Sequence, residues 1–583
     1  MNLPAPQTAR LQAPLVIGVT GHRDLRPDDL PQLERKVKHI FERLRERYGS
    51  TPLLVLSPLA EGADRLVARV GLLDDFGARL VVPLPMPAAL YEEDFEEPGS
   101  VDEFRALMVR ADCAFVVPPS PDFDSIRSPV PVRDRRYELA GAYVVGQSQI
   151  LIALWDGTES GKIGGTSAMV RLRTEGSPDG RQRSLQPPEL FPVYQILTPR
   201  RSNPKPAGEP FRLREIYPPV FHNEEHGKTY YGKALRNLDR FNRYIQEDGV
   251  RLLDEAERSK RGLLGASHGQ AWRTEADVLA LDQYAIADAL AIRYQRKTVR
   301  AHWALHVLVF LSFLCIVLFA ELGEFRVWWL AASLILLCAA LIAYRLGRRR
   351  ALDDRALDYR AVAEGARVRF FWKAAGIEDS VADNYLDEQR TELDWIRNAL
   401  RGWDAALCPN DAAESENARA SLEFGLKHWV DHQRHYFSKA SRVNRERAER
   451  IDLWVRAGVV GVLVLGLGIA GAAAAGSILD ASWWEPAARD WLKWPVVAID
   501  LLLAAGGLLH HFGERMAYSE HAKQYRRMHE VFRNAKAIIQ EQLAANDSHA
   551  ARACLRKLGQ EALAENGDWV LLHRERPLEL PHP

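Results

Sequence analysis

The chain has 583 residues, with 77 Lys and Arg balanced by 77 Asp and Glu, so its formal net charge is zero. This length predicts two or more domains, and the charge balance argues against nucleic acid as the main partner because there is no overall basic field. The five cysteines include no CxxC pair, which argues against a disulfide framework or a zinc site and is typical of a reducing cytosol. The first residues contain no apolar signal core, so we expect the first domain to stay in the cytoplasm.

Apolar strands and amphipathic helices alternate over the first 200 residues. The run from Leu15 to Thr20 has no polar alternation, as in a strand buried on both faces of a parallel sheet. The pattern predicts an α/β doubly wound parallel sheet, Rossmann-like in plan. The predicted strands span 15–20, 53–57, 79–85, 113–117, 149–157 and 193–198; helices follow at about 30–48, 66–71, 100–110, 137–147 and after 166, and 178–219 is predicted to form loops around the last strand.

Three loops follow the ends of predicted strands. In an open α/β sheet these loops gather at the carboxyl edge, where ligands bind. Glycines beside helix starts expose backbone N–H groups, and the helix dipole favours a phosphate there. The candidate ligand-binding residues are Thr20, Gly21, His22 and Arg23 in the first loop, Glu61, Gly62, Ala63, Asp64 and Arg65 in the second, Gly164, Gly165 and Thr166 in the third, and Asp156 at the end of the preceding strand.

The side chains of these loops suit a nucleotide. Arg23 or Arg65 could pair with a phosphate through two parallel hydrogen bonds, and Glu61, Asp64 or Asp156 could accept from ribose hydroxyls or an adenine amine. Structural interpretations stand beside these. Asp64 and Arg65 could form a local ion pair, His22 could cap a turn, and the third loop could be only a tight connection. The common position of the three loops favours a ligand pocket.

Four segments in this region occur in a recognisable order. They are Gly18-Val-Thr-Gly-His-Arg23, Leu59-Ala-Glu-Gly-Ala-Asp-Arg65, Leu151-Ile-Ala-Leu-Trp-Asp-Gly157 and Gly164-Gly-Thr166. Together they resemble the SLOG superfamily, Rossmann-like domains related to the LOG or lysine decarboxylase-like proteins and to the N-terminal domain of melastatin-type TRP channels. The resemblance covers about residues 14–200. It implies a pocket for a nucleotide-derived ligand such as ADP-ribose, its cyclic forms or a nucleoside monophosphate.

One departure from that superfamily bears on catalysis. Members that hydrolyse cytokinin-type nucleotides carry Pro-Gly-Gly-x-Gly-Thr followed by a Glu. The stretch here, Lys162-Ile-Gly-Gly-Thr-Ser-Ala-Met-Val170, lacks the leading Pro, the third Gly and the closely following Glu. The comparison implies binding rather than catalysis, so we predict no catalytic residue, no metal and no resident cofactor. A membrane-anchored nucleotide N-glycosidase, with Glu61 or Asp64 orienting water, remains the alternative, and a structural scaffold with a vestigial pocket is a third.

Four long apolar runs occupy the second half of the chain. Residues 303–320 and 327–344 contain no Asp, Glu, Lys or Arg, 457–479 is rich in Gly and Ala, and 494–512 is interrupted only by Asp500. Each run has about 18 residues or more, the length that crosses a bilayer core. The sequence therefore predicts an all-α membrane domain with four transmembrane helices.

Basic residues flank the outer ends of the paired runs, for example Arg300 and Arg345 around the first pair and Arg456 and Arg515 around the second. The loops between paired runs are poorer in Lys and Arg. By the positive-inside rule both hairpins enter and leave on the cytoplasmic side. We therefore expect a multi-pass protein of the inner (cytoplasmic) membrane with both termini in the cytoplasm.

The two hairpins also look like repeats. Tyr359-Arg360 follows Gly347 by twelve residues, and Tyr525-Arg526 follows Gly513 by the same interval. A two-span hairpin continued by a cytosolic helix resembles the SLATT type of membrane module. That family is predicted to form pores or channels in nucleotide-signalled bacterial immunity.

Asp500 is the candidate pore residue. A carboxylate at this depth is costly and is expected to face a protein interior or water. Pore lining, pairing with His510 or another helix, and a different span boundary all remain open.

These patterns divide the chain into seven parts. The expected function is that of a membrane-bound sensor or effector, in which a nucleotide-derived small molecule binds the cytosolic domain and a homo-oligomer opens a pore or perturbs the bilayer, in bacterial antiphage immunity. The parts are a flexible N-terminus (1–13), a SLOG-like nucleotide-sensing domain (14–225), a helical connector (226–300), a first transmembrane hairpin (301–346), a cytosolic helical region (347–452), a second transmembrane hairpin (453–513) and a cytosolic C-terminal helix and tail (514–583).

Overall fold

A computed structural model of the chain describes residues 9–118, 132–159, 164–176, 190–221, 223–265, 274–321, 326–386, 393–408, 418–478 and 492–574. Residues 160–163, which precede the third predicted loop, and the C-terminal tail lie outside these ranges. The described part is an α/β domain followed by an all-helical region. Its strands are β1 (Leu15–Gly21), β2 (Leu53–Leu56), β3 (Arg79–Leu84), β4 (Cys113–Val116), β5 (Ile150–Trp155), β6 (Val193–Leu197) and β7 (Leu213–Ile216).

The seven strands form one sheet in the order β4-β3-β2-β1-β5-β6-β7. Five neighbouring pairs are parallel, while β6 and β7 are antiparallel. The parallel strands confirm an α/β domain with a mostly parallel sheet, but the expectation of loops at 213–216 is wrong. No residue of β7 is fully buried, so the apolar run by which the other strands were predicted is missing from this edge.

Helices cover both faces of the sheet. Leu15 and Ile17 of β1 share a hydrophobic core with side chains of the helices Leu30–Arg47 and Ala63–Gly71. Val16, the residue between Leu15 and Ile17, belongs to the core on the opposite face of the sheet. The helices of this domain are α1 (Leu30–Arg47), α2 (Ala63–Gly71), α3 (Ala88–Glu92), α4 (Ser100–Arg110), α5 (Val132–Gln147) and α6 (Thr166–Glu175).

The all-helical region begins with two very long helices. In the described ranges it comprises α7 (Glu224–Leu264), α8 (Glu275–Glu321), α9 (Arg326–Arg349), α10 (Leu352–Ala374), α11 (Asp394–Ala405), α12 (Ala418–Gly425), α13 (His432–Ile478), α14 (Lys493–Arg515), α15 (Tyr518–Ala544) and α16 (Ser548–Arg574), with a π-helical turn at Leu426–Asp431 before α13.

One hydrophobic core joins distant parts of the chain into a helical domain. It includes Leu11 and Ala13, Phe241 of α7, Trp372 of α10 and Leu555 of α16. Residues 9–13, predicted to be a flexible terminus, therefore pack in this core. The segment predicted to be a connector forms a wall of the same domain, because α7 and the first half of α8 contribute buried side chains to it.

The α/β domain rests on the helical domain through the amino end of β1. The buried Asn242 side chain of α7 accepts from the Ala13 amide N–H at 2.9 Å and donates to the Ala13 carbonyl at 2.9 Å. The indole N–H of Trp403 in α11 donates to the Leu11 carbonyl at 3.2 Å. A Cβ on Gly402 would lie 2.6 Å from the Pro14 carbonyl oxygen, so α11 can approach β1 only with glycine there.

A disulfide bond also crosses this junction. It joins Cys113 at the start of β4 to Cys408 after α11. The sequence argued against a disulfide framework and did not predict this single bond. The 295 residues between the two cysteines explain why their spacing gave no signal. Cys315, Cys338 and Cys554 are free thiols.

Four helices, α8, α9, α13 and α14, are long and apolar enough to cross a membrane. The α8 and α13 helices each have 47 residues, and both run without a break from the helical domain into the apolar stretch. Within the stretch, Ser312 of α8 donates a hydrogen bond to the Ser333 carbonyl of α9 at 3.1 Å. The two hairpins meet where the ring centroids of Trp303 and Phe512 are 4.8 Å apart.

The second helix of each hairpin ends in the same way. Ala351 follows α9 with φ +44°, and Ala517 follows α14 with φ +47°. Each alanine lies four residues after a glycine, Gly347 or Gly513, and a charged helix begins at the next residue. The backbone thus follows the same plan twice, in agreement with the repeat that the sequence predicts.

We expect Gly402→Ala to destabilise the junction by about 1–3 kcal/mol, because the added methyl group must displace the Pro14 carbonyl. The measurement is the thermal unfolding midpoint of the full chain in detergent. Gly262→Ala is the matched control, since a Cβ on this α7 glycine meets nothing within 4 Å and alanine is the better helix former. Equal midpoints for both variants would contradict the expected close contact.

Candidate ligand cavity at the carboxyl edge of the sheet

A cavity of about 460 Å³ lies at the carboxyl ends of β1 and β5. The chain runs outward in one direction from β1 to β4 and then returns to the other side of β1 with β5. Such a reversal of strand order leaves a crevice between the diverging loops. Of the predicted site residues, eight line this cavity: Thr20, Gly21, His22, Arg23, Asp64, Gly164, Gly165 and Thr166.

Two glycines let the first and second loops approach each other. A Cβ on Gly21 would lie 2.9 Å from the Leu154 carbonyl oxygen and would overlap the Ala63 side chain. Gly62 has φ +77°, and its Cβ would lie 2.5 Å from the Arg23 carbonyl oxygen. The His22 carbonyl accepts from the Ala63 amide at 3.1 Å, which fixes the first loop against the start of α2.

The third loop presents the amino end of α6 to the cavity. Gly165 is the N-cap and has no side chain that could accept from the first N–H groups of the helix. Gly165, Thr166 and Ser167 all line the cavity wall. The first N–H groups of a helix have no partner within it, and the helix dipole adds a partial positive charge. This wall is therefore suited to an anion.

Arg23 supplies a cation to the same cavity. Its side chain is exposed there, with the guanidinium carbon 4.8 Å from the ring centroid of Tyr137. It forms no ion pair with any residue in the described ranges. The Arg23 charge acts to lower the pKa of Asp64 and of Asp94, but neither carboxylate pairs with it directly. A guanidinium held by an aromatic face in this way can bind an incoming anion.

Asp64 and Tyr91 are two buried polar residues in the cavity wall. Asp64 accepts from the Ala60 amide at 3.3 Å, and burial raises the pKa of its carboxyl to about 7. Tyr91 has no exposed surface, and its hydroxyl has no hydrogen-bond partner among the described residues. A buried hydroxyl without a partner is unfavourable, so it marks a position where a ligand or water would bond.

His22 and Asp156 interact beside the cavity. The His22 Nε2 atom lies 3.1 Å from the Asp156 amide nitrogen and 3.2 Å from its carboxylate oxygen. Burial lowers the pKa of His22, so the neutral ring is favoured although the Asp156 carboxylate opposes this. Although burial acts to raise the pKa of Asp156, the Thr158 amide, the Asn203 amide group, His22 and Arg200 together hold it below its ordinary value.

Five of the predicted site residues do not line the cavity. Gly62 and Ala63 support the loops, and Asp156 is bonded to His22 and Arg200. Glu61 accepts from the amides of Glu96 and Glu97 at 3.0 Å each. Arg65 is buried, where it donates to the Leu59 carbonyl at 3.0 Å and to Ser100. These contacts give Glu61 and Arg65 structural roles.

The cavity contains side chains that the sequence did not single out. They include Tyr91, Tyr137, Trp155 and Arg200. Trp155 is the last residue of β5, next to the Asp-Gly turn, and lies within a segment quoted for the SLOG resemblance, but it was not a candidate site residue. Tyr91 lies on α3, a short helix that the sequence pattern did not predict, and nothing local connects it with the first loop.

The contacts around Asp500 bear on the three interpretations that the sequence left open for this residue. It lies in α14, is half-buried and forms no ion pair in the described ranges. His510 lies ten residues further along the same helix, roughly 15 Å away along the axis, and is 3.9 Å from Glu514 instead. Pairing between Asp500 and His510 of the same chain is therefore excluded, and pore lining remains a prediction.

Comparisons with known proteins add no assignment. A scan against protein-family models found no match, and a search of curated proteins gave no significant relative.

We expect Asp64 to make stability pH-dependent. Its folded pKa of about 7 lies above its ordinary value of 3.8, so folding favours the protonated acid and this contribution is lost as pH rises from about 4 through 7. The thermal midpoint of Asp64→Asn should therefore rise relative to that of the unmodified chain over this window. The difference between the two thermal midpoints at each pH cancels the contributions of the other acids, which both chains share. A constant difference would contradict a raised pKa.

Proposed function

We propose that this protein is a membrane-bound sensor whose α/β domain binds a nucleotide-derived signal and changes the state of its membrane helices. One observation carries the proposal. A cavity at the strand-order reversal combines the amino end of α6, whose N-cap is a glycine, with Arg23, which has no ion pair among the described residues, in a chain with four membrane-length helices. The seven-stranded sheet is consistent with a Rossmann-like domain, and the SLOG and SLATT resemblances belong to the same proposal.

The cavity would accept a ligand that has an anionic group at one end and a planar ring at the other. Its phosphate would bind the N–H groups at Gly165 and Thr166, with Arg23 as the balancing charge. Trp155 and Tyr137 offer aromatic surface for a base. A cavity of about 460 Å³ lies in the size range of small-molecule sites. ADP-ribose, a cyclic nucleotide and a nucleoside monophosphate all have this chemistry.

Coupling to the membrane would use the continuous helices. A ligand shifts a conformational equilibrium only if it binds one state more tightly. The β1 strand connects the cavity to the junction with α7 and α11, and α8 and α13 carry the helical domain into the apolar spans. Several copies would associate, since four helices per chain are few for a water-filled pore. We place both termini in the cytoplasm of a bacterial cell, with the pore serving antiphage defence.

A second candidate function is hydrolysis of a nucleotide N-glycosidic bond. The observation that favours it is Asp64, a buried acid in the cavity wall whose pKa of about 7 suits proton transfer at neutral pH. Glu61, the other acid considered from the sequence, holds two backbone amides instead. Release of a free base from a nucleoside monophosphate, abolished by Asp64→Asn, would favour this function over sensing.

Ligand binding is testable by thermal shift of the full chain in detergent against ADP-ribose, cyclic nucleotides and nucleoside monophosphates. A ligand at 100 times its dissociation constant should stabilise the protein by about 2.7 kcal/mol. Arg23→Ala should weaken binding by about tenfold or more, and Gly165→Asp should abolish it by placing a carboxylate at the anion site. Arg35→Ala, on the exposed face of α1, is the matched control. Unchanged shifts in Arg23→Ala and Gly165→Asp would place any binding elsewhere.

Membrane action is testable with the protein in liposomes that contain a fluorescent dye. We expect dye or ion release only with a nucleotide that gives a thermal shift, and no release for Gly165→Asp. Binding without release would retain the sensor but refute the pore. Release that does not depend on the nucleotide would refute the coupling between them.

A further inference from the structure

A second pocket of about 330 Å³ lies on the other side of the α/β domain. Its walls come from the end of α1, from β6 and the residues after β7, and from the first turns of α7. It shares no lining residue with the cavity at the carboxyl edge of the sheet. The pocket therefore lies where the α/β domain meets the first helix of the helical domain.

Three cations surround this pocket. Arg47 ends α1, and Lys228 and Arg236 lie two turns apart on α7. All three are exposed, and none forms an ion pair with a residue in the described ranges. Lys and Arg side chains are mostly exposed and solvated at protein surfaces. Here three of them share one concave wall.

The nearby carboxylates are already occupied. Glu215 is paired with Arg43 and accepts from the Tyr217 hydroxyl at 2.7 Å. Asp239 accepts from the Ser50 amide at 2.9 Å and pairs with Arg243 at 3.0 Å. Neither residue lines the pocket, so the charge on its wall is positive.

Tyrosine side chains form the inner wall. Tyr48 and Tyr194 are 6% and 7% exposed, and neither hydroxyl has a hydrogen-bond partner in the described part of the chain. Tyr217 and Tyr231 add two further rings, whose centroids are 6.1 Å apart in a stacked arrangement. Because both hydroxyls line the pocket without a protein partner, each is available to donate a hydrogen bond to an occupant or accept one from it. This observation is independent of the three cations.

We propose that this pocket binds a small organic anion with a planar ring, held by Arg47, Lys228 and Arg236 at its anionic group and by the tyrosines at its ring. A phosphate or carboxylate would accept from the cations, and the Tyr48 and Tyr194 hydroxyls would bond its polar atoms. The volume suits a single ring with one anionic group. Because the walls belong to both domains, the occupant would strengthen the contact of α7 with the sheet. The site does not depend on the function proposed for the first cavity.

The test uses the full chain in detergent, with phenyl phosphate as the probe and isothermal titration calorimetry as the measurement. We expect saturable binding that persists in Gly165→Asp, which closes the first cavity to anions. The double variant Arg47→Ala/Arg236→Ala should weaken the binding of phenyl phosphate by about tenfold or more. Tyr194→Phe should weaken this binding by about threefold, because phenylalanine keeps the ring but loses one hydrogen bond. Inorganic phosphate should bind at least about tenfold more weakly than phenyl phosphate, since it lacks the ring.

Lys233→Ala is the matched control, because this α7 lysine lies between Lys228 and Arg236 but does not line the pocket. The affinity of Lys233→Ala for phenyl phosphate should equal that of the unmodified chain. All the substituted cations are exposed, and an unchanged thermal midpoint will confirm that each variant is folded. The proposal is overturned if phenyl phosphate does not bind, if Gly165→Asp removes the binding, or if the double variant binds as tightly as the control.

Discussion

The position of β1 depends on one buried amide. Asn242 has no exposed surface, and its side chain bonds both the N–H and the carbonyl of Ala13, as a neighbouring strand would. Gln12 adds a bond to the Asn242 carbonyl at 3.1 Å. In a dry environment such paired groups are costly to separate, because each would leave an unsatisfied partner. The central strand therefore starts at a place fixed by α7, and every loop at its other end is positioned from there.

This arrangement places the two ends of the sheet in different surroundings. The amino edge contacts α7 and α11, whereas the carboxyl edge opens onto the cavity. The seven residues of β1 separate them by roughly 23 Å. A ligand in the cavity therefore touches nothing in the helical domain directly. A ligand in the cavity can therefore affect the helical domain only by displacing β1 together with the helices that flank it. Close packing would transmit such a displacement.

The sequence was sufficient for most local elements, though not for β7 or α3, and for the edge of the sheet where the cavity lies. Buried parallel strands are apolar throughout, so β1 and β5 were recognisable, and the loops that follow them must meet. The side chains were less predictable. An arginine in a loop after a strand is a typical phosphate ligand, but the Arg65 guanidinium donates to Ser100 instead. Tyr91 lines the cavity from a short helix whose residues show no apolar periodicity. Long-range pairs such as Cys113 with Cys408 depend on the packing of two domains, which no local pattern encodes.

The matching backbone breaks at Ala351 and Ala517 have a consequence for symmetry. If the two hairpins are superposed on these alanines, Trp494 falls on Trp328 and Tyr525 on Tyr359, but Asp500 falls on Leu334. The two halves are alike in backbone and differ in charge at this depth. The two hairpins of one chain are therefore not interchangeable, because a carboxylate stands in the second at the depth where the first has a leucine.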